Sequence, residues 1–222
     1  MPGSSGRLDA AIVFDLDGTL IDSAPDLQQV ANTLLQREGA PPISLAEARS
    51  FIGNGAPVFV ARMCEARGID GSHQERLLAD FMAAYETAVN LTLPYPGVPQ
   101  ALQALRRAGA HLAVCTNKPL HATRAVLAHL GLEEHFAAIL GGDSLPQRKP
   151  DPAPLQAAFA RLEGTARLYV GDSEIDAETA HRAGVPFLLF TQGYRKSPVE
   201  ALVHAAAFSD FAELPELIGT FA

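Results

Sequence analysis

The sequence predicts an α/β fold, a doubly wound parallel sheet with a helical cap domain inserted after its first strand. Three observations carry this expectation. Short apolar runs, each about one strand long, recur along the chain. Helix-length amphipathic stretches separate them. One long segment near the start holds helical stretches but no convincing strand. Strands alternating with helices form a parallel sheet covered on both faces, which is a Rossmann-like core.

Residues 8–14 are apolar through Ile12, Val13 and Phe14 and stop at Asp15, as a buried strand does when it ends at a polar site. Similar runs lie at 111–115, around 137–140, at 167–170 and at 186–190. Helical stretches are expected at 98–108, 120–130, 153–162 and 175–183. Gly109, Gly131 and Gly184 fall just past three of them, where a helix-ending glycine belongs. The segment from Asp22 to Pro94 breaks the alternation. It reads as helices at 25–38, 45–51, 57–67 and 72–91, with Ser44 and Glu47 spaced as a capping box. Pro41-Pro42 and Pro94-Tyr-Pro96-Gly97 punctuate it. The expected division is therefore 1–21 with 95–222 as the core and 22–94 as the cap.

Composition narrows the function classes. Of 222 residues, 48% are hydrophobic and 19% charged, enough apolar material for a packed core. The net charge of -8 argues against a nucleic-acid or anionic-membrane surface, yet leaves room for a locally positive pocket that binds a small anion. Cys64 and Cys115 have no paired spacing and read as buried thiols in a reducing compartment. The opening Met1-Pro-Gly-Ser-Ser-Gly6 has no basic region leading into an apolar one, and no run reaches the length of a membrane span. The expectation is a cytoplasmic protein, monomeric or homodimeric.

Four polar clusters follow expected strands: Asp15-Leu-Asp17-Gly-Thr19, Thr116-Asn117-Lys118, Lys149-Pro-Asp-Pro152 and Gly171-Asp172-Ser-Glu-Ile-Asp176. In an open parallel sheet the carboxyl ends of the strands share one edge, so clusters distant in sequence converge there. Asp15, Asp17 and Asp172 crowded together repel unless one is protonated or a cation sits among them. Hard oxygen donors with few protein ligands suit Mg²⁺, which shares a phosphate oxygen and keeps several waters. Lys149 and Thr116 offer positive charge and a donor for phosphoryl oxygens. One aspartate can attack phosphorus and a second can carry protons to the leaving oxygen and from water.

These motifs, in this order from Asp15 to Asp176, resemble the four motifs of the haloacid dehalogenase-like hydrolase superfamily. The resemblance implies that Asp15 is the nucleophile and Asp17 the acid/base, with the Asp17 backbone carbonyl on Mg²⁺. It implies that Thr116 and Lys149 bind phosphate, with Asn117 either beside them or holding its loop. Asp172 resembles the direct metal ligand and Asp176 a supporting carboxylate, which could equally serve only the start of its helix. Phe51-Ile-Gly53-Asn54-Gly55, Tyr95-Pro-Gly-Val98, Thr116-Asn-Lys-Pro119 and Thr191-Gln-Gly-Tyr194 resemble the phosphoglycolate phosphatases of that superfamily. Gly53, Asn54 and Gly55 are then either a substrate-facing cap turn or a plain helix linker. Glu174-Ile175 departs from the Arg-Asn common there and adds a negative charge near the metal.

The implied partner is a small anionic phosphorylated substrate, most simply 2-phosphoglycolate. A sugar phosphomutase on the same core, a phosphatase of other small esters and a non-catalytic scaffold stand as alternatives. The intact acids and Lys149 weigh against the scaffold. The histidines show no metal-binding spacing.

Overall fold

A computed structural model describes residues 8–221; the reading of Met1–Gly6 lies outside them. The elements run β1 (Ala10–Phe14), β2 (Ile21–Asp22), α1 (Ala24–Arg37), α2 (Leu45–Phe51), α3 (Ala56–Ala66), α4 (Gln74–Tyr85), β3 (Leu93–Pro94), α5 (Val98–Ala108) and β4 (His111–Cys115). They continue with α6 (Leu120–His129), β5 (Ala138–Leu140), α7 (Ala153–Phe159), β6 (Ala166–Gly171), α8 (Glu174–Ala183), β7 (Phe187–Phe190), β8 (Ala206–Phe208) and α9 (Leu214–Gly219).

Six strands form one parallel sheet in the order β5-β4-β1-β6-β7-β8. The chain leaves β1, builds outward on one side, then returns to the other side of β1. That reversal of order puts a crevice at the carboxyl end of β1. Every residue of β1 is buried, because helices cover both faces. Ile12 and Phe14 pack with α5 and α9 on one face, and Val13 packs with α7 and α8 on the other. Pairing aligns Phe14 with Val114 and with Val170. The residues just past those three positions therefore reach the same edge at the same height.

Helices α1–α4 bury a separate cluster against one another, including Leu35, Val60, Met63 and Phe81. Each such side chain removed from water stabilises the unit by about 1.5–3 kcal/mol. The unit joins the sheet through two short antiparallel strands, with Ile21 opposite Pro94 and Asp22 opposite Leu93. Asp26 staples the return: its carboxylate accepts from the backbone N–H groups of Leu91 and Thr92 and from the Thr92 hydroxyl. That staple anchors residues 91–92 just ahead of β3, and α4 stops at Tyr85 although its pattern predicts helix to residue 91. The sequence also left β8 and α9 unread. No helix among the described residues is long and apolar enough to cross a membrane.

Candidate active site

The sheet register sets Asp15, Thr116 and Asp172 side by side, one or two residues beyond Phe14, Val114 and Val170. Beyond β1 the chain must turn at once to clear β6. Gly18 takes φ +88°, and a Cβ there would collide with the Asp172 carboxylate and the Tyr194 ring. Thr19 donates its hydroxyl to Asp172 Oδ1 at 2.9 Å, and the Tyr194 N–H donates to Asp172 Oδ2. Asp17 Oδ1 accepts from the Ser23 hydroxyl and lies 3.3 Å from Lys118 Nζ. Among the described residues its second oxygen has no hydrogen-bond partner, and Asp17 lines the crevice.

Lys149 reaches the crevice from the loop before α7. Its Nζ lies 2.8 Å from Asp15 Oδ1, 2.7 Å from Asp176 Oδ1 and 2.9 Å from the Tyr169 hydroxyl. The contact to Asp15 is an ion pair by distance but not an aligned hydrogen bond, so Asp15 Oδ1 is buried without one. Asp176 sits in the first turn of α8. Its Oδ2 accepts from the N–H and hydroxyl of Ser173, and its Oδ1 from Lys149 and Tyr169. Asn117 locks the lysine loop: its amide donates to the carbonyls of Lys149 and Gly53 and accepts from the Lys149 N–H.

Charge in this buried crevice is unevenly balanced. Burial, then the charge of Asp176, pushes the Asp15 carboxyl up to about 7 despite Lys149. Burial and the charges of Asp176 and Asp15 push Asp172 well above the carboxylate range. For Asp176 burial acts in the same direction, but Lys149 and the bonds from Ser173 and Tyr169 outweigh it and hold the group low. Burial disfavours the Lys149 ammonium, and Asp15 with Asp176 more than compensates. Lys149 and Asp176 thus form a stable ion pair, while Asp15 and Asp172 lack enough positive charge.

Two cavities meet at this edge. The deeper one, about 40 Å³, is lined by Asp15, Asp17, Thr116, Lys149 and residues between α2 and α3 including Gly53 and Gly55. Counting about 10–15 Å³ per water, it holds roughly three waters. A wider cavity of about 310 Å³ shares Asp15, Asp17 and Gly53 with it and runs out past Asp172, Asn54 and Glu174. The structure therefore splits the Gly53-Asn54-Gly55 turn. Gly53 and Gly55 border the deep cavity, whereas Asn54 borders the outer one. Glu174 lines the outer cavity together with Asp15, Asp17 and Asp172. Its carboxylate accepts from the N–H groups of Lys196 and Ser197 and ties down that loop.

Residues 12–190 match the family model of the haloacid dehalogenase-like hydrolases. The chain belongs to that family. The hydrolase is 52% identical over 210 residues to a phosphoglycolate phosphatase of Cereibacter sphaeroides, spanning 93% of this chain and 96% of that one. It is 48% identical to the phosphoglycolate phosphatase of Rhodobacter capsulatus, over 94% and 96% of the two chains. Its fold is similar to the crystal structure of a protein from Haemophilus somnus described as a predicted phosphoglycolate phosphatase. The TM-score there is 0.84 at 33% identity, covering 96% of this chain and 98% of that one.

The residues present fit a metal ion. Asp15, Asp172 and Asp176 are buried and offer carboxylate oxygens that all lie within 4.8 Å of one another. The two Asp176 oxygens take four bonds, one of them from the Lys149 ammonium, whereas the Asp172 oxygens take one neutral bond each, so Asp15 and Asp172 keep the most charge for a cation. An all-oxygen donor set whose negative charge Lys149 only partly balances suits a hard divalent ion.

Three residues that the hydrolase brings to the site were not expected. Lys118 read as one more motif residue, but its side chain is 3% exposed and reaches Asp17. Tyr85, at the end of α4, is buried in line with Leu77 and Phe81 at a spacing of four, as a core residue is, while its hydroxyl accepts from Lys118. Tyr169 sits mid-strand with its ring near Phe187 and its hydroxyl in the site. An aromatic inside an apolar run shows nothing of where its hydroxyl points. Lys118 alone left a signal, since it belongs to the second motif.

Proposed function

We propose that this hydrolase is a Mg²⁺-dependent phosphomonoesterase that cleaves 2-phosphoglycolate to glycolate and phosphate through a phosphoaspartate on Asp15. The observation that carries the reading is the buried Asp15 at the end of β1, facing a small cavity with Lys149 beside it and Asp17 across from it. The names of the relatives at 52% and 48% identity support the substrate.

Asp15 attacks phosphorus, and the bond from phosphorus to the ester oxygen breaks. Asp17 passes a proton to that leaving oxygen, so glycolate departs as the alcohol. Asp17 then takes a proton from water as the water attacks phosphorus. The bond between phosphorus and Asp15 breaks, releasing phosphate and regenerating the free carboxylate. Lys149 and the Thr116 hydroxyl hold the equatorial phosphoryl oxygens, where charge spreads in the transition state. Asp15, Asp172 and the Asp17 carbonyl would hold Mg²⁺, with Asp176 behind them. When bound, the ion neutralises the acids and polarises a phosphoryl oxygen.

Residues 22–94 act as the cap over the core of 1–21 and 95–222, opening to admit substrate and closing to exclude water. Two free, buried cysteines support a reducing, cytoplasmic setting. The test is phosphate release from a panel of phosphorylated metabolites with Mg²⁺. Phosphoglycolate should lead the panel. Faster interconversion of hexose phosphates than phosphate release from phosphoglycolate would exclude the reading.

A further inference from the structure

We propose that Lys118 and Tyr85 together form the recognition site for the substrate's carboxylate. The inference rests on the proposed function, a small phosphate ester that carries a carboxylate close to the phosphoryl group.

A substrate of that kind presents two anionic ends. The phosphoryl end meets Lys149, an ammonium that Asp15, Asp176 and the Tyr169 hydroxyl hold in place beside it. Among the side chains that line the deep cavity, Lys118 is the other cation. Its three protons are unevenly used. One points to Asp17 Oδ1 at 3.3 Å and one to the Tyr85 hydroxyl oxygen, which leaves the third. Tyr85 accepts from Lys118, and among the described residues its own hydroxyl proton has no acceptor.

Burial, then the nearby charges of Asp17 and Asp26, raises the Tyr85 phenol well above its ordinary range, so the donor persists at neutral pH. Two uncommitted donors, one cationic, thus adjoin each other in the cavity, matching the two oxygens of a carboxylate. Leu27, Ile52 and Phe59 line the same cavity and offer hydroxyl groups of a sugar nothing to bond. Placement relative to the reaction also fits. Lys118 touches Asp17, the acid that protonates the leaving oxygen, so its ammonium lies on the leaving-group side of phosphorus.

Tyr85 belongs to the cap and Lys118 to the loop after β4. Lys118 and Tyr85 already touch, and a carboxylate bridging them would reinforce that contact only when the correct leaving group is present. Recognition then reinforces closure, and a phosphate ester without the carboxylate gains less from it.

The experiment compares kcat/KM for 2-phosphoglycolate with that for ethyl phosphate, the same short ester lacking the carboxylate. Wild-type enzyme, Lys118→Met, Lys118→Arg and Tyr85→Phe are measured with Mg²⁺. Loss of a hydrogen bond to a charged group corresponds to about 10- to 100-fold in binding. The phosphoglycolate preference should fall about 100-fold in Lys118→Met and about 10-fold in Tyr85→Phe, mostly through KM, and Lys118→Arg should restore part of it. Inhibition by the product glycolate should weaken in parallel, while inhibition by inorganic phosphate changes less. If both esters lose kcat equally in Lys118→Met and Tyr85→Phe, Lys118 acts only through Asp17 and the carboxylate assignment is overturned. Tyr85→Phe keeps the test decisive should Lys118→Met fold poorly. A wild-type enzyme with no preference for phosphoglycolate overturns the substrate reading itself.

Discussion

Replacing Tyr169 by Phe removes one hydroxyl from the charged centre of the site and leaves the packing intact, because the ring against Phe187 is retained. That hydroxyl is fully buried; it accepts from Lys149 Nζ at 2.9 Å and donates to Asp176 Oδ1 at 2.7 Å. Each partner is charged, and no water can replace the lost bonds without a cavity. Bonds to charged groups contribute about 1.5–3 kcal/mol each, and the two share one oxygen, so the net loss is about 3 kcal/mol. For a chain of this length each kcal/mol lowers Tm by about 2–4 °C, giving a drop of roughly 6–12 °C. Lys149 keeps both carboxylates, so kcat/KM should fall only about 10-fold. Lys149→Met, which removes the phosphoryl-facing charge, should cost more than about 10³-fold. Thermal unfolding and steady-state phosphate release measure the two effects. A Tm within 1 °C of wild type, with unchanged kcat/KM, would refute the claim that Tyr169 holds the Lys149–Asp176 pair.

Asp17→Asn should lower kcat by about 10²–10⁴-fold for an alkyl ester, and by much less for p-nitrophenyl phosphate in the first, phosphoryl-transfer step seen as a burst. Asp15 binds its proton more tightly in the folded protein than in the unfolded chain. The native state then carries the extra proton between the ordinary carboxylate range and about pH 7, and stability of the metal-free protein should fall as pH rises through that window. Mg²⁺ needs the ionised acids, so it should raise Tm more at pH 8 than at pH 5, and Ca²⁺ should bind yet fail to support turnover. A Tm that is flat with pH in chelator would contradict the assignment. Gly193→Ala places a methyl group against the Asp172 carboxylate and the Gly18 carbonyl. The Mg²⁺ concentration for half-maximal activity should rise at least about 10-fold, and a metal titration reads this directly.

Much of the core could be read from residue patterns because buried parallel strands are bare apolar runs. β4 and α5 begin and end where the pattern put them. β8 escaped because Ala206-Ala-Phe208 is three residues at a sheet edge, too short to show a period. The β2–β3 pair contributes two residues per strand and is fixed by the route of the chain rather than by local propensity. α4 was drawn too long because Asp26, distant in sequence, captures the backbone at Leu91 and Thr92. In the site, residues within motifs announced themselves, as Asp15, Lys149 and Asp172 did. Those whose chemistry depends on a single atom's direction did not. The Tyr85 and Tyr169 rings obey the burial pattern of core residues, and only the fold reveals that both hydroxyls end beside buried ammonium groups. Glu174 shows the reverse: a charge in the motif whose partners are backbone N–H groups of a later loop.

The central claim is that Asp15 carries the phosphoryl group during turnover. Acid-quenching wild-type enzyme in the steady state with 2-phosphoglycolate and Mg²⁺, followed by peptide mass mapping, tests it directly. The account predicts one added phosphoryl group on the peptide containing Asp15, lost on treatment with hydroxylamine and absent from Asp15→Asn, which should also release no phosphate. Phosphate release at full rate without that adduct, or an adduct on any other residue, would contradict it.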